Sequence, residues 1–97
     1  MKLYKVLTYP QFRSFIDKKI YYGSSKEINK KYICAAYLCQ LDTIIRNNFS
    51  NQECVVAVID SSKLNNVKIE YSKKFGMDFP HIYEPLRYET IHSFIKK

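Results

Sequence analysis

The chain has 97 residues, of which 46% are hydrophobic, with six Phe and nine Tyr; that is enough apolar surface for one core and too little length for two, so residues 1–97 are expected to form a single domain and disorder is set aside. Sixteen basic residues against nine acidic ones give a formal charge of +7. The basic residues are mostly Lys spread in pairs at 18–19, 30–31, 73–74 and 96–97, which reads first as solvated surface charge; an anionic small molecule or an acidic protein is the expected partner, and nucleic acid is less favoured without a concentrated basic stripe.

Leu3 to Leu7 alternates polar and apolar residues around Tyr4 and Val6 and predicts a first strand. Thr8 then opens a helix over residues 9–19: Gln11 stands where a capping box needs it, Pro10 falls in the first turn, and Phe12, Phe15 and Ile16 share a face. Gly23-Ser24-Ser25 reads as a turn, and Glu27 to Ala35 as an extended stretch carrying Ile28, Tyr32 and Ile33. A second helix is predicted over residues 37–48, with Leu38, Leu41, Ile44 and Ile45 as its apolar stripe. Phe49 is expected to fold back over its end.

Cys54 to Ile59 is a nearly continuous run of β-branched and small apolar residues, the pattern of a central strand buried on both faces. Asp60-Ser61-Ser62 caps a short turn ending at Leu64. In Val67 to Tyr71, Val67, Ile69 and Tyr71 alternate with Lys68 and Glu70, so that strand has one wet or functional face. Ser72 to Pro80 reads as a loop, His81 to Tyr83 as short extended structure limited by Pro85, and Thr90 to Ile95 as a last strand with Ile91 and Ile95 on one side. The expected fold class is α+β: a small, twisted, mostly antiparallel sheet with two helices.

No window approaches the ~18 apolar residues of a membrane span, and no basic start runs into an apolar stretch, so a cytoplasmic protein that avoids membranes is expected. The three cysteines, Cys34, Cys39 and Cys54, are odd in number and sit in apolar settings, which fits reduced, buried thiols better than a disulfide framework. Cys34 and Cys39 are too far apart for a zinc knuckle, so no metal site is predicted. Glu70 projects from its strand opposite Ile69 and Tyr71 and is a candidate to orient a ligand's polar group. His81, between Phe79-Pro80 and Ile82-Tyr83, is a candidate pocket residue, whereas His92 reads as surface chemistry. Phosphate-cradling glycine loops and the H-E-x-x-H and G-x-S-x-G signatures are absent.

The ordered segments Leu3-Tyr4-Lys5-Val6-Leu7-Thr8, Tyr32-Ile33-Cys34-Ala35-Ala36, Val56-Ala57-Val58-Ile59-Asp60, Val67-Lys68-Ile69-Glu70 and Phe79-Pro80-His81-Ile82-Tyr83-Glu84-Pro85-Leu86 resemble the domain of unknown function 952 family over essentially the whole chain. The resemblance implies a fold similar to the ADP-ribosyltransferase core. It also implies a cleft lined from the first strand, the segment near residue 34, Glu70 and His81. The family typically has histidine where this chain has Lys5, and a Phe-Ile-His segment followed by serine where it has Tyr32-Ile33-Cys34 and Ala36. Two imidazoles and a hydroxyl are thus replaced together, and the site is altered. The implied ligand-binding set is Lys5, Cys34, Glu70, His81 and Tyr83, with NAD as the cofactor the fold resemblance brings in and no catalytic residue assigned. The expected function is binding of a nucleotide-like or other anionic ligand. The alternatives are an ADP-ribosyl-transfer or phosphate-ester enzyme, and a protein-binding regulator.

Overall fold

In the computed structural model, which describes residues 1–97, β1 (Lys2–Thr8) runs directly into α1 (Tyr9–Lys18). Thr8 makes the junction. Its hydroxyl accepts from the Gln11 amide at 3.3 Å while the Gln11 side chain accepts from the Thr8 amide at 2.9 Å, and Pro10 sits in the first turn. The helix ends where Lys19 turns left-handed at φ 65°.

The segment expected to be a turn and an extended stretch instead contains a third helix, α2 (Ser25–Lys30). The cause is a second capping box: the Ser24 hydroxyl accepts from the Glu27 amide at 3.2 Å, and the Glu27 carboxylate accepts from the Ser24 amide at 3.0 Å. Gly23, at φ 111°, makes the approach possible, since a Cβ there would lie 3.0 Å from Cβ of Glu27. Extended structure in this region shrinks to β3 (Ile33–Cys34).

Strand β4 (Cys54–Asp60) is the middle of a three-stranded antiparallel sheet, between β1 and β8 (Ile91–Lys96), and is buried from Cys54 through Ile59 as its sequence predicts. Ala57 and Ile59 face the larger core with Leu3, Leu7 and Phe15; Cys54 and Val56 face a smaller one closed by Val6 and Leu41 of α3 (Leu41–Asn48). Phe49 packs against that second cluster. Each large side chain fully removed from water here stabilises the fold by about 1.5–3 kcal/mol. Ile91 and Ile95 do not share a side as expected. A register shift between Val58 and Ile59 sets Ile91 opposite Ile59 and Phe94 opposite Ala57, so Phe94 takes the inward place and Ile95 is exposed.

The second sheet has the order β3-β6-β5, with β5 (Val67–Ser72) at its edge and β6 (Met77–Ile82) in the middle. The expected loop of residues 72–80 is therefore confined to a tight turn, and Pro80 lies inside a strand. It is tolerated because β3 has already ended beside it, while its carbonyl still accepts from the Ala35 amide at 3.0 Å. On β5 only Val67 reaches the core; Ile69 and Tyr71 project beyond it and are exposed. Reciprocal bonds of 2.9 and 2.8 Å between Tyr4 and Ala36 join the two sheets edge to edge. A third, two-residue ladder pairs β2 (Ile20–Tyr21) with β7 (Leu86–Arg87).

The fold is thus α+β with small antiparallel sheets, but with three sheets and three α-helices in place of one sheet and two helices. No helix is long and apolar enough to cross a membrane. The helix expected from Tyr37 begins as a 3₁₀ turn, Leu38–Gln40, that directs Gln40 inward, where its amide donates to the Asp78 carbonyl at 2.7 Å. Leu38, expected on the apolar stripe, consequently faces solvent at 66% exposure, and Cys39, expected to be buried, is exposed beside it.

Urea unfolding separates the two kinds of apolar position. Phe15→Ala, which empties a fully buried site, is expected to cost about 3–5 kcal/mol, and Leu38→Ala to stay within about 0.5 kcal/mol of wild type.

Candidate functional site

Strand register brings the candidate residues together. Cys34 lies opposite His81, His81 opposite Lys68, and Glu70 opposite Phe79; directly paired residues project from the same face, so all five share one surface. The Tyr4–Ala36 bridge sets β1 alongside and adds Lys5.

Two polar clusters sit there. The first is centred on Glu27, which the sequence reading did not single out. Nζ of Lys5 donates to Oε2 of Glu27 at 2.5 Å and the Cys34 amide to the same oxygen at 2.8 Å; the Tyr21 hydroxyl and the Ser24 amide donate to Oε1 at 3.1 and 3.0 Å. The Lys5 and Glu27 side chains are only 12% and 7% exposed. Burial works against the charge on Glu27, but the ammonium of Lys5 and the two amides outweigh it and hold the carboxyl below its ordinary pKa. Burial, reinforced by that carboxylate, pushes the Tyr21 phenol far above its ordinary value, so Tyr21 acts as a donor. The Ser24-x-x-Glu27 spacing after Gly23 was the available signal for the helix; nothing local foretold that the same carboxylate also meets Lys5 and Cys34.

The second cluster joins Glu70, His81 and Tyr83. Nδ1 of His81 lies 2.8 Å from Oε1 of Glu70, and the Tyr83 hydroxyl donates to the same oxygen. Those bonds, from Tyr83 first and His81 second, hold Glu70 below its ordinary pKa, and the bond to Glu70 pushes Tyr83 up to about 12. An ionised carboxylate accepts only, so Nδ1 carries a proton, and in the neutral imidazole the lone pair is on Nε2. Tyr32 stacks flat on the imidazole, 4.1 Å between centroids at 15°, and touches Tyr83 at 5.3 Å.

A cleft of about 670 Å³ opens over this surface. Lys5, Cys34 and His81 line it; Glu70 and Tyr83 stand outside the lining and touch the cleft through His81. Lys26, Lys30, Lys73 and Lys74 also line it, and Glu27 is its one acidic residue. Lysines distant in sequence are thus gathered by α2 and the β5–β6 turn. Because Glu27 is neutralised by Lys5, those four ammonium groups face the cleft with no acid in its lining left to balance them. Burial raises the Cys34 thiol pKa, with Lys5 offsetting it only in part, so Cys34 is a neutral thiol and a poor nucleophile near pH 7. No group of three His, Cys, Asp or Glu side chains is placed to hold a metal ion, and all three cysteines are free. His92 is exposed and bonded to Ser93.

The family model described as protein of unknown function (DUF952) matches residues 6–94. The crystal structure of protein CC0527 from Caulobacter crescentus superposes with a TM-score of 0.89 at 21% identity, covering 99% of this chain and 85% of that one. The solution NMR structure of CC0527 gives 0.82 at 22% identity over 96% and 81%. At that identity the likeness is one of fold. No curated protein matches the sequence.

The Glu27 cluster predicts a specific acid dependence. A carboxyl whose folded pKa lies below its unfolded one contributes stability that is complete above the unfolded value and is lost as pH falls through the folded one. Glu27→Gln is expected to cost roughly 3 kcal/mol at pH 7, because it strands the Lys5 charge, and to flatten the loss of stability on acidification. The double variant with Lys5→Met should lose less than the two single variants together. Chemical denaturation between pH 3 and 7 measures both, as roughly the carboxylate range plus neutrality.

Proposed function

The chain belongs to the family of proteins of unknown function DUF952, and from that footing we propose that it is a single-domain module binding a phosphorylated, nucleotide-like anion in its lysine-lined cleft. The observation that carries this reading is the set of four unbalanced lysines, Lys26, Lys30, Lys73 and Lys74, around one concavity. Ammonium groups on flexible stems suit phosphate as point charges, and a concave, partly apolar wall concentrates their field. Tyr4, Phe49, Phe75 and Phe79 supply that wall and offer surface to a base or ribose.

Within this reading Lys5 and Cys34 form part of the floor. The Lys5 charge is already committed to Glu27, so the ligand's phosphates fall to the other lysines. His81 offers Nε2, and Glu70 and Tyr83 hold its ring. An ADP-ribosyltransferase-like core is the finer form of the fold resemblance, and it makes ADP-ribose and NAD the first ligands to test.

Calorimetric titration with ADP-ribose and NAD, at about 50 and 200 mM salt, tests the reading. Binding is expected, weaker at the higher salt as screening requires. Lys73→Met with Lys74→Met should weaken it about tenfold or more, equivalent to ~1.4 kcal/mol, whereas Lys18→Met with Lys19→Met, away from the cleft, should leave it unchanged. No heat at millimolar ligand, or the same affinity in both double variants, contradicts the reading.

A further inference from the structure

Resting on that reading, we propose that the cleft is catalytic: His81 is a general base that activates water against the phosphoric anhydride of a bound nucleotide, and Glu70 is its positioning residue. The inference starts from how the imidazole is held. Oε1 of Glu70 takes Nδ1 at 2.8 Å, and the Tyr83 hydroxyl fixes that same oxygen from its other side. Tyr32 clamps the ring face. The side chain is only 9% exposed, yet Nε2 makes no protein hydrogen bond. No buried side-chain nitrogen or oxygen in the protein lacks a partner, so the unbonded Nε2 reaches solvent, on a residue that lines the lysine cleft. A histidine serving packing alone needs neither an ionised carboxylate on one nitrogen nor a vacant lone pair on the other. Together these are what a proton acceptor needs: a fixed tautomer, a fixed direction and a counter-charge for the imidazolium that forms.

The substrate class follows from there being one such residue. Water attacks one phosphorus of the anhydride, a new P–O bond forms, and the water's proton goes to Nε2. The bridging P–O bond breaks and its electron pair leaves on the second phosphate. A phosphate whose last proton comes off near pH ~6 leaves without being protonated, so no partner acid is required, and lysines stabilise the charge gathering on its oxygens. The imidazolium then gives its proton to bulk water. For ADP-ribose the products are AMP and ribose 5-phosphate, with one water consumed.

The charged and titratable groups around the ring are Glu70 and Lys68 from β5, Cys34 from β3, and Tyr32 and Tyr83. Of these only Glu70 is bonded to the imidazole. Replacing it by Gln removes the counter-charge for the imidazolium while keeping shape.

The experiment incubates the full chain with ADP-ribose, and separately with inorganic pyrophosphate, and follows AMP and phosphate by phosphorus NMR, with binding of ADP-ribose measured in parallel. Wild type is expected to release AMP. His81→Asn should lower kcat roughly 100-fold or more with affinity within about threefold. Glu70→Gln, at a half-exposed position that is not part of the core, should lower kcat less with KM within about threefold, and Glu70→Asp should restore part of kcat, a split that a purely structural role would not produce. Binding of ADP-ribose without release of AMP overturns the catalytic inference and leaves the binding reading standing. Turnover undiminished in both variants also overturns it. If ADP-ribose does not bind, the binding reading fails, and pyrophosphate decides the chemistry: release dependent on His81 and Glu70 supports it, and none overturns it.

Discussion

The carboxylate of Glu27 is held by donors from four parts of the chain: Lys5 on β1, Tyr21 on β2, the Ser24 amide at the cap of α2 and the Cys34 amide on β3. A buried ion is costly unless its lone pairs are filled and its charge is met, and here both conditions hold. The consequence reaches beyond stability. The same bonds fix where α2 begins, where β3 lies against β1, and therefore where the wall of the cleft stands. Loss of one partner would leave the others facing an unsatisfied charge in a place water barely reaches, so the group behaves as a unit.

That junction also decides the electrostatics of the cleft. Lys5 and Glu27 cancel, and the ammonium groups that remain sit on two exposed elements, the α2 segment and the β5–β6 turn. They are long side chains on flexible stems over a floor fixed by the Glu27 hydrogen bonds. In the proposed reading an anion enters without the backbone being rebuilt, and its phosphates come close to a histidine whose orientation is already set by Glu70, Tyr83 and Tyr32. Lys5 is taken up in an ion pair with Glu27 and Cys34 is held as a neutral thiol, so the polar chemistry of the surface is concentrated at His81.

Much of the fold was legible because local signals carried it. The Thr8-Gln11 box, the apolar run from Cys54 to Ile59 and the alternation in Val67 to Tyr71 each state their structure within a few residues, and each is found as an element. The helix at residues 25–30 was equally local, but its Ser24–Glu27 box was hidden behind a glycine and two serines that also spell a turn. What could not be read locally was decided by distant partners. The bulge that turns Phe94 inward depends on register against Val58 and Ile59, and the strand through Pro80 depends on β3 ending beside it. The site follows the same division: Glu70 and His81 stood out as residues, whereas their contact, the pairing of Lys5 with Glu27 and the gathering of lysines from residues 26, 30, 73 and 74 arise only from topology.

Whether the gathered lysines and His81 constitute one ligand site is tested most directly by titrating ADP-ribose into isotopically labelled protein and mapping the perturbed resonances. One contiguous set is expected: the amides of Lys30, Cys34, Lys73, Lys74 and His81, together with the His81 ring nitrogen Nε2 and not Nδ1, which Glu70 already holds. A ligand that leaves these resonances unmoved, or moves only those of exposed residues outside the lining such as Ile69 and Ile95, would contradict the assignment of the cleft.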